Sequence, residues 1–211
     1  MTDFPKPPSQ LSALQRDLLE AFFAREQRFY LTGGAALAGY HLGHRAVGGL
    51  ELSAPANAHL SDASRALKDA STEAGAVLRM LKRHPEVAKY EVHKGAERCG
   101  IVLAIDTAKV LESTKLVFGK VRVDTLREIA ANTVCAILAR SEASDLEDLM
   151  ALASHGLDFD EALADAAVKK PGIDAASLAA ALDKRVLGST GDLEALDGFR
   201  VELVNRLRGN G

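Results

Sequence analysis

The sequence predicts an α+β protein: a small mixed sheet backed by helices, with a helical C-terminal half. Three observations predict it. β-type runs alternate with helical segments over residues 1–124. From residue 125 to 211 every segment has helical spacing and helix-start signals. Hydrophobic residues make up 47% of the 211, enough at this length for a core that needs no disulfide or metal staple. The expected division is an α/β core over 1–124 and a helical region over 125–211 packed on it.

The elements follow from local patterns. Residues 1–8 are a Pro-rich lead-in. Leu11, Leu14, Leu18 and Phe22 recur at spacings of three and four, one face of a helix, and Ser12 with Gln15 forms a capping box. Phe29-Tyr30-Leu31-Thr32 is short and aromatic and reads as a strand. It runs into Gly33-Gly34 and an Ala-rich helix over 35–42, which Gly43 ends. Gly49-Leu50-Glu51-Leu52 alternates as a strand does, placing Leu50 and Leu52 on one face. A long helix is expected over 61–84, with Ala66, Leu67, Ala70, Ala74, Val77, Leu78 and Leu81 on its apolar side. Strands are expected at 87–93, 100–106 and 115–123, the last with a turn or bulge at Gly119. Thr125 with Glu128, and Ser144 with Glu147, read as capping boxes. Further helices are expected over 158–169, 174–187 and 192–208.

Composition excludes several classes. The 26 Lys+Arg and 29 Asp+Glu give a net charge of −3, which is neither a basic nucleic-acid coat nor an acidic tail. No stretch approaches the roughly 18 apolar residues of a membrane span. The N-terminal segment MTDFPKPPSQ has no apolar core of a signal peptide. Cys99 and Cys135 lack metal-ligand spacing and read as reduced thiols of a cytoplasmic protein.

Chemistry concentrates between Phe29 and Leu52. Two glycines at a helix start let backbone N–H groups approach a phosphate, and the helix dipole favours an anion there. A carboxylate on the following strand can hold Mg²⁺, which bridges nucleotide phosphates. A glycine cradle with metal carboxylates is the arrangement that phosphoryl and nucleotidyl transfer require.

Two segments carry a family resemblance. The first is Leu31-Thr32-Gly33-Gly34, then Ala36-Leu37-Ala38, then Leu42-Gly43-His44-Arg45. The second spans 123–149 and includes Ile129-Ala130-Ala131-Asn132, Ala136, Arg140, Asp145, Asp148 and Leu149. Together they make the chain similar to the AbiEii-type nucleotidyltransferases, toxin components of bacterial toxin–antitoxin and abortive-infection systems related to the MenT-like toxins. The resemblance implies a nucleotidyltransferase-like fold and transfer of nucleotides from a nucleoside triphosphate to RNA at a tRNA acceptor end. It also implies Mg²⁺ as cofactor and a cognate antitoxin protein as partner. Carried onto this sequence, Thr32, Gly33, Gly34, His44 and Arg45 would bind nucleotide phosphate. Glu51 and Asp106 would hold the metal, and Glu51, Asp106 and Asp145 would form the catalytic set.

The chain departs from that family at informative places. Where the family carries Asp-Leu-Asp, this chain has Gly49-Leu50-Glu51. Thr133 stands where the family has a Lys, and Val47 where it has a Ser. Two readings follow: a nucleotidyltransferase using the remaining carboxylates, or a catalytically degenerate domain of the same fold that acts by binding. A local basic stretch, Arg79–Arg98, holds six Lys/Arg and three Glu; it reads either as an RNA-phosphate contact or as a solvated edge strand guarded by Lys.

Overall fold

The structure is a computed structural model that describes residues 10–140, 142–183 and 193–209. The Pro-rich lead-in and the far end of the helix expected to reach 187 lie outside the described residues. The chain divides into two compact units. The first runs to Thr107 and takes in Ser113–Thr125; the second comprises Ala108–Glu112 and the chain from Leu126 onward.

The first unit opens with α1 (Ala13–Phe23). Its start is the reciprocal cap read from the sequence: the Ser12 N–H donates to Gln15 Oε1 at 2.8 Å, and the Gln15 N–H donates to Ser12 Oγ at 3.3 Å. Leu14, Leu18, Leu19, Phe22 and Phe23 are fully buried along one side. Then come β1 (Tyr30–Thr32) and α2 (Gly33–Ala36), the latter continued by a π-helical turn at Leu37–His41. β2 (Gly49–Pro55), α3 (Leu60–Glu73), β3 (Val77–Arg83), β4 (Val87–Lys94) and β5 (Glu97–Asp106) follow. The hairpin of β6 (Leu116–Phe118) and β7 (Val121–Val123) turns at Gly119, whose φ is +62°. The seven strands make one mixed sheet in the order β3-β4-β5-β2-β1-β7-β6. β2 runs parallel to β5 and β1 parallel to β7; the other neighbours are antiparallel.

The long helix expected over 61–84 is two elements. α3 ends at Glu73, and Gly75 takes a left-handed φ of +65°, the usual chain reversal after a helix. Val77, Leu78 and Leu81 therefore lie on an edge strand, where Val77 and Leu81 are largely exposed, although their i, i+1, i+4 spacing imitates a helix face.

Strand pairing assigns the two faces of the sheet. Leu50, Leu52, Ile101, Leu103, Ala88, Tyr90 and Val92 share one face and are all buried. α3 packs on it, and the Tyr90 hydroxyl donates to Ser64 Oγ of α3 at 2.7 Å. Fully burying each Leu or Ile there contributes roughly 1.5–3 kcal/mol. The opposite face carries Tyr30, Thr32, Glu51, Ser53 and Asp106.

The second unit holds α4 (Leu126–Ala139), α5 (Ala143–Ser154), α6 (Phe159–Lys169), α7 (Ala175–Asp183) and α8 (Leu193–Leu207). Val134, Ile137, Leu146, Leu149, Phe159, Leu178, Leu182 and Leu203 form its core. α5 starts at Ala143, so its first turn is served by Asp145, whose Oδ2 accepts the Glu142 N–H at 3.4 Å, ahead of the expected Ser144–Glu147 box. Glu128 is buried. Its Oε1 accepts the N–H groups of Leu111 and Glu112 at 2.7 and 2.8 Å, and its Oε2 lies 2.6 Å from Lys169 Nζ. Among the described residues, no helix is long and apolar enough to cross a membrane.

Candidate functional site

The candidate site is built on three neighbouring strands of the first unit. β1 ends at Thr32, which pairs directly with Glu51 of β2. Gly33 then turns the chain into α2 with φ +63°, a conformation that strongly favours glycine. A side chain at Gly33 would also collide: a Cβ there would lie 2.8 Å from Glu51 Oε2. The Glu51 carboxylate thus rests over the Gly33 turn.

On the other side of β1, Leu31 pairs with Val123 in parallel, which brings Asp124 beside Thr32. The Thr32 hydroxyl donates to Asp124 Oδ2 at 2.8 Å, and Lys115 Nζ donates to Asp124 Oδ1 at 2.7 Å. This ion pair is deeply buried, with the two side chains 4% and 2% exposed. Lys115 Nζ also lies 4.4 Å from the centre of the Tyr30 ring, within cation–π range. The Tyr30 hydroxyl donates to Asp106 Oδ2 at 3.3 Å. His41 Nε2 donates to the Asp124 carbonyl oxygen at 2.9 Å. Burial holds the His41 imidazole below its ordinary pKa, against the opposing pull of Asp124. A connected polar set, Thr32–Asp124–Lys115–Tyr30–Asp106, therefore runs along this face, with Glu51 opposite Thr32 in the strand register.

The structure brings some of the expected residues together and separates others. Thr32, Gly33, Gly34 and Glu51 converge on one turn. Asp106 shares the sheet face with Glu51 but pairs with Pro55, while Glu51 pairs with Val102. The two carboxylates are therefore four residues apart along the strand direction, about 13 Å at ~3.3 Å per residue. His44 and Arg45 are half-buried in the connection before β2, where an Arg45 terminal N–H donates to the Ala46 carbonyl at 3.3 Å. Asp145 belongs to the second unit, where Arg140 clasps it with contacts of 2.7 and 3.1 Å. Thr133 is buried, and its hydroxyl donates to the Ile129 carbonyl at 2.8 Å within its own helix.

Gly49 stands where the resemblance places a first carboxylate. It pairs with Gly100 of β5, and a Cβ at position 49 would lie 2.6 Å from the Gly100 carbonyl oxygen. That contact is with backbone, so no rotamer change relieves it. Among the described residues, no three His, Cys, Asp or Glu side chains gather as a metal-binding group.

Asp124, Lys115 and His41 were not singled out from the sequence. Asp124 read as the residue before a helix start, and Lys115 as the first residue of a β-run. Only the strand order, with β7 beside β1, makes them neighbours of Thr32.

No protein-family model matches the sequence, and the curated proteins give no match either. Solved structures do match. JHP933 from Helicobacter pylori is 20% identical with a TM-score of 0.59, over 93% of this chain and 89% of that one. A second Helicobacter pylori protein, a candidate nucleotidyltransferase, is 20% identical with a TM-score of 0.57, over 93% and 92%. MenT4, a nucleotidyltransferase toxin of Mycobacterium tuberculosis, is 15% identical with a TM-score of 0.58, over 92% and 81%. At these identities the likeness is one of fold, and the chain has the nucleotidyltransferase-like α+β fold.

Proposed function

We propose that this chain is a catalytically degenerate nucleotidyltransferase-fold protein that acts by binding, as a component of a toxin–antitoxin-like or abortive-infection locus. The observation that carries the reading is the close approach of Gly49 to the Gly100 carbonyl. It removes the position from which a first metal carboxylate would reach the Gly33 turn. The separation of Asp106 from Glu51 supports it, because losing a positioned ligand can cost on the order of 10²-fold in rate. Thr133, in place of a lysine, takes away a cation that would stabilise transferring phosphate.

The second reading is a transferase of the AbiEii type that adds nucleotides to RNA, with a cognate antitoxin. It draws on one observation: Glu51 stays over the Gly33 turn beside Thr32. Mg²⁺ sites with a single protein carboxylate exist where substrate phosphates complete the shell. Incubating the protein with labelled nucleoside triphosphates, Mg²⁺ and total RNA decides between them. The degenerate reading expects no label on RNA. Label that disappears in Glu51→Gln establishes the transferase instead.

A further inference from the structure

We infer that the outer edge of β3 takes up an acidic, extended polypeptide segment by strand addition. The inference rests on the binding reading and deepens it, assigning a surface and the chemistry of the partner.

β3 is a terminal strand of the sheet. Its neighbour is β4, and among the described residues no strand lies on its other side. Such an edge presents a row of backbone N–H and C=O groups with which another chain can pair. β3 runs for seven residues, whereas β6 at the opposite end of the sheet has three. Its apolar side chains stand in water: Val77 is 70% exposed, Met80 50% and Leu81 52%. Single exposed apolar residues are ordinary, but three within Val77–Leu81 on one sheet edge form a patch of the kind that marks an interaction site.

The remainder of the strand is basic. Arg79, Lys82 and Arg83 are exposed, and β3 contains no Asp or Glu. Lys82 stands directly opposite Lys89 of β4, a like-charge pairing that destabilises a sheet. The one acid of β4 is Glu91, opposite Arg79, and His93 Nε2 already lies 2.6 Å from it.

That combination selects the occupant. A second copy of β3 would set three bases against three, so Lys and Arg here oppose self-pairing, as charges do on protected edges. A nucleic-acid strand would match the charge but cannot continue a backbone ladder. A polypeptide of alternating acidic and apolar residues meets every feature. Arg79 and Lys82 lie across from Glu91 and Lys89, while Met80 lies across from Tyr90, on the side covered by α3. One set of incoming side chains therefore meets the bases and the alternate set covers Met80, while the backbone extends the sheet.

The test measures binding of a short fluorescein-labelled peptide of alternating Glu and Val to the full-length protein, by anisotropy. One companion peptide alternates Lys and Val. Another is the Glu–Val peptide N-methylated at every backbone amide, which keeps the side chains but donates no ladder hydrogen bond. Polyglutamate and a single-stranded RNA serve as competitors. A variant carrying Arg79→Gln, Lys82→Glu and Arg83→Glu reverses the charge of the edge. The parent chain is expected to bind the Glu–Val peptide and neither companion. The variant should bind it at least about tenfold more weakly and take up the Lys–Val peptide instead. All three positions are exposed, and the gained Lys–Val binding is a readout that a misfolded variant would not give. No binding of the Glu–Val peptide by the parent chain, unchanged affinity in the variant, equal binding of the N-methylated peptide, or equal competition by polyglutamate or RNA would overturn the proposal. Nucleotide label on RNA would refute the binding reading whatever the peptides do. Failure of the peptides alone would remove this surface and leave that reading untouched.

Discussion

Gly49 and Gly100 meet across the parallel pair β2–β5 so closely that a Cβ on Gly49 would sit 2.6 Å from the Gly100 carbonyl oxygen. Position 49 is where the family resemblance places a first metal aspartate. Restoring that residue therefore requires the strands to move. We expect Gly49→Ala to lower stability by about 1–3 kcal/mol, as overpacking does, and Gly49→Asp to lower it at least as much without creating transferase activity. Urea unfolding followed by circular dichroism measures the first. A Gly49→Ala protein as stable as the parent would show that the two strands part without cost.

Asp124 is held by Lys115 and Thr32 in a buried site. Removing one partner of such a pair leaves an uncompensated charge and typically costs about 3–5 kcal/mol. Lys115→Met should destabilise the first unit by that order. Thr32→Val, which removes one hydrogen bond to a charged acceptor, should cost about 1.5–3 kcal/mol. The double variant Lys115→Met with Asp124→Leu should recover part of the loss. Urea midpoints of the three proteins check this, and a double variant no more stable than Lys115→Met alone would contradict it.

The second unit has its own charged contact. Arg127 meets Asp165 with two contacts, 2.6 and 2.9 Å, and this hydrogen-bonded guanidinium holds the Asp165 carboxyl below its ordinary value. A depressed carboxyl contributes stability above its unfolded-state value, near 3.8, and loses it as pH falls through the lower folded value. Arg127 is nearly half exposed, so solvent screens the contact and its contribution is small. Stability measured from pH 6 down to pH 2 should fall less steeply in Arg127→Met than in the parent. Identical acid profiles would assign the contact no role.

The cysteines should differ in reactivity. Cys99 is fully buried on β5, and burial pushes its thiol up to about 11. Cys135 is half-buried on α4. Since the thiolate is the reactive form, iodoacetamide at pH 8 should alkylate Cys135 in the native protein and reach Cys99 only in urea. Peptide mass spectrometry reads both sites.

Much of this was legible in the sequence, and the rest was hidden for identifiable reasons. The Ser12–Gln15 cap, the Gly33 turn and the pairing-ready run around Glu51 are local patterns, and local geometry follows from them. The helix expected over 61–84 ends at Glu73 because Gly75 reverses the chain, while the i, i+1, i+4 spacing of Val77, Leu78 and Leu81 imitates a helix face. The distance between Glu51 and Asp106 depends on how β2 registers against β5, which no local spacing encodes. The Lys115–Asp124–Thr32 contact depends on β7 lying beside β1, a consequence of strand order. Gly49 in place of the family's aspartate is visible in the sequence; the close approach of the Gly100 carbonyl to that position depends on the β2–β5 register and is not.

On the proposed reading, the Gly33–Glu51 site does not assemble a metal–nucleotide complex. Isothermal titration of the protein with ATP and CTP, with and without Mg²⁺, tests it most directly. The account predicts that Mg²⁺ produces no micromolar nucleotide binding, in the parent chain or in Glu51→Gln. Micromolar binding that requires Mg²⁺ and is lost in Glu51→Gln would contradict it.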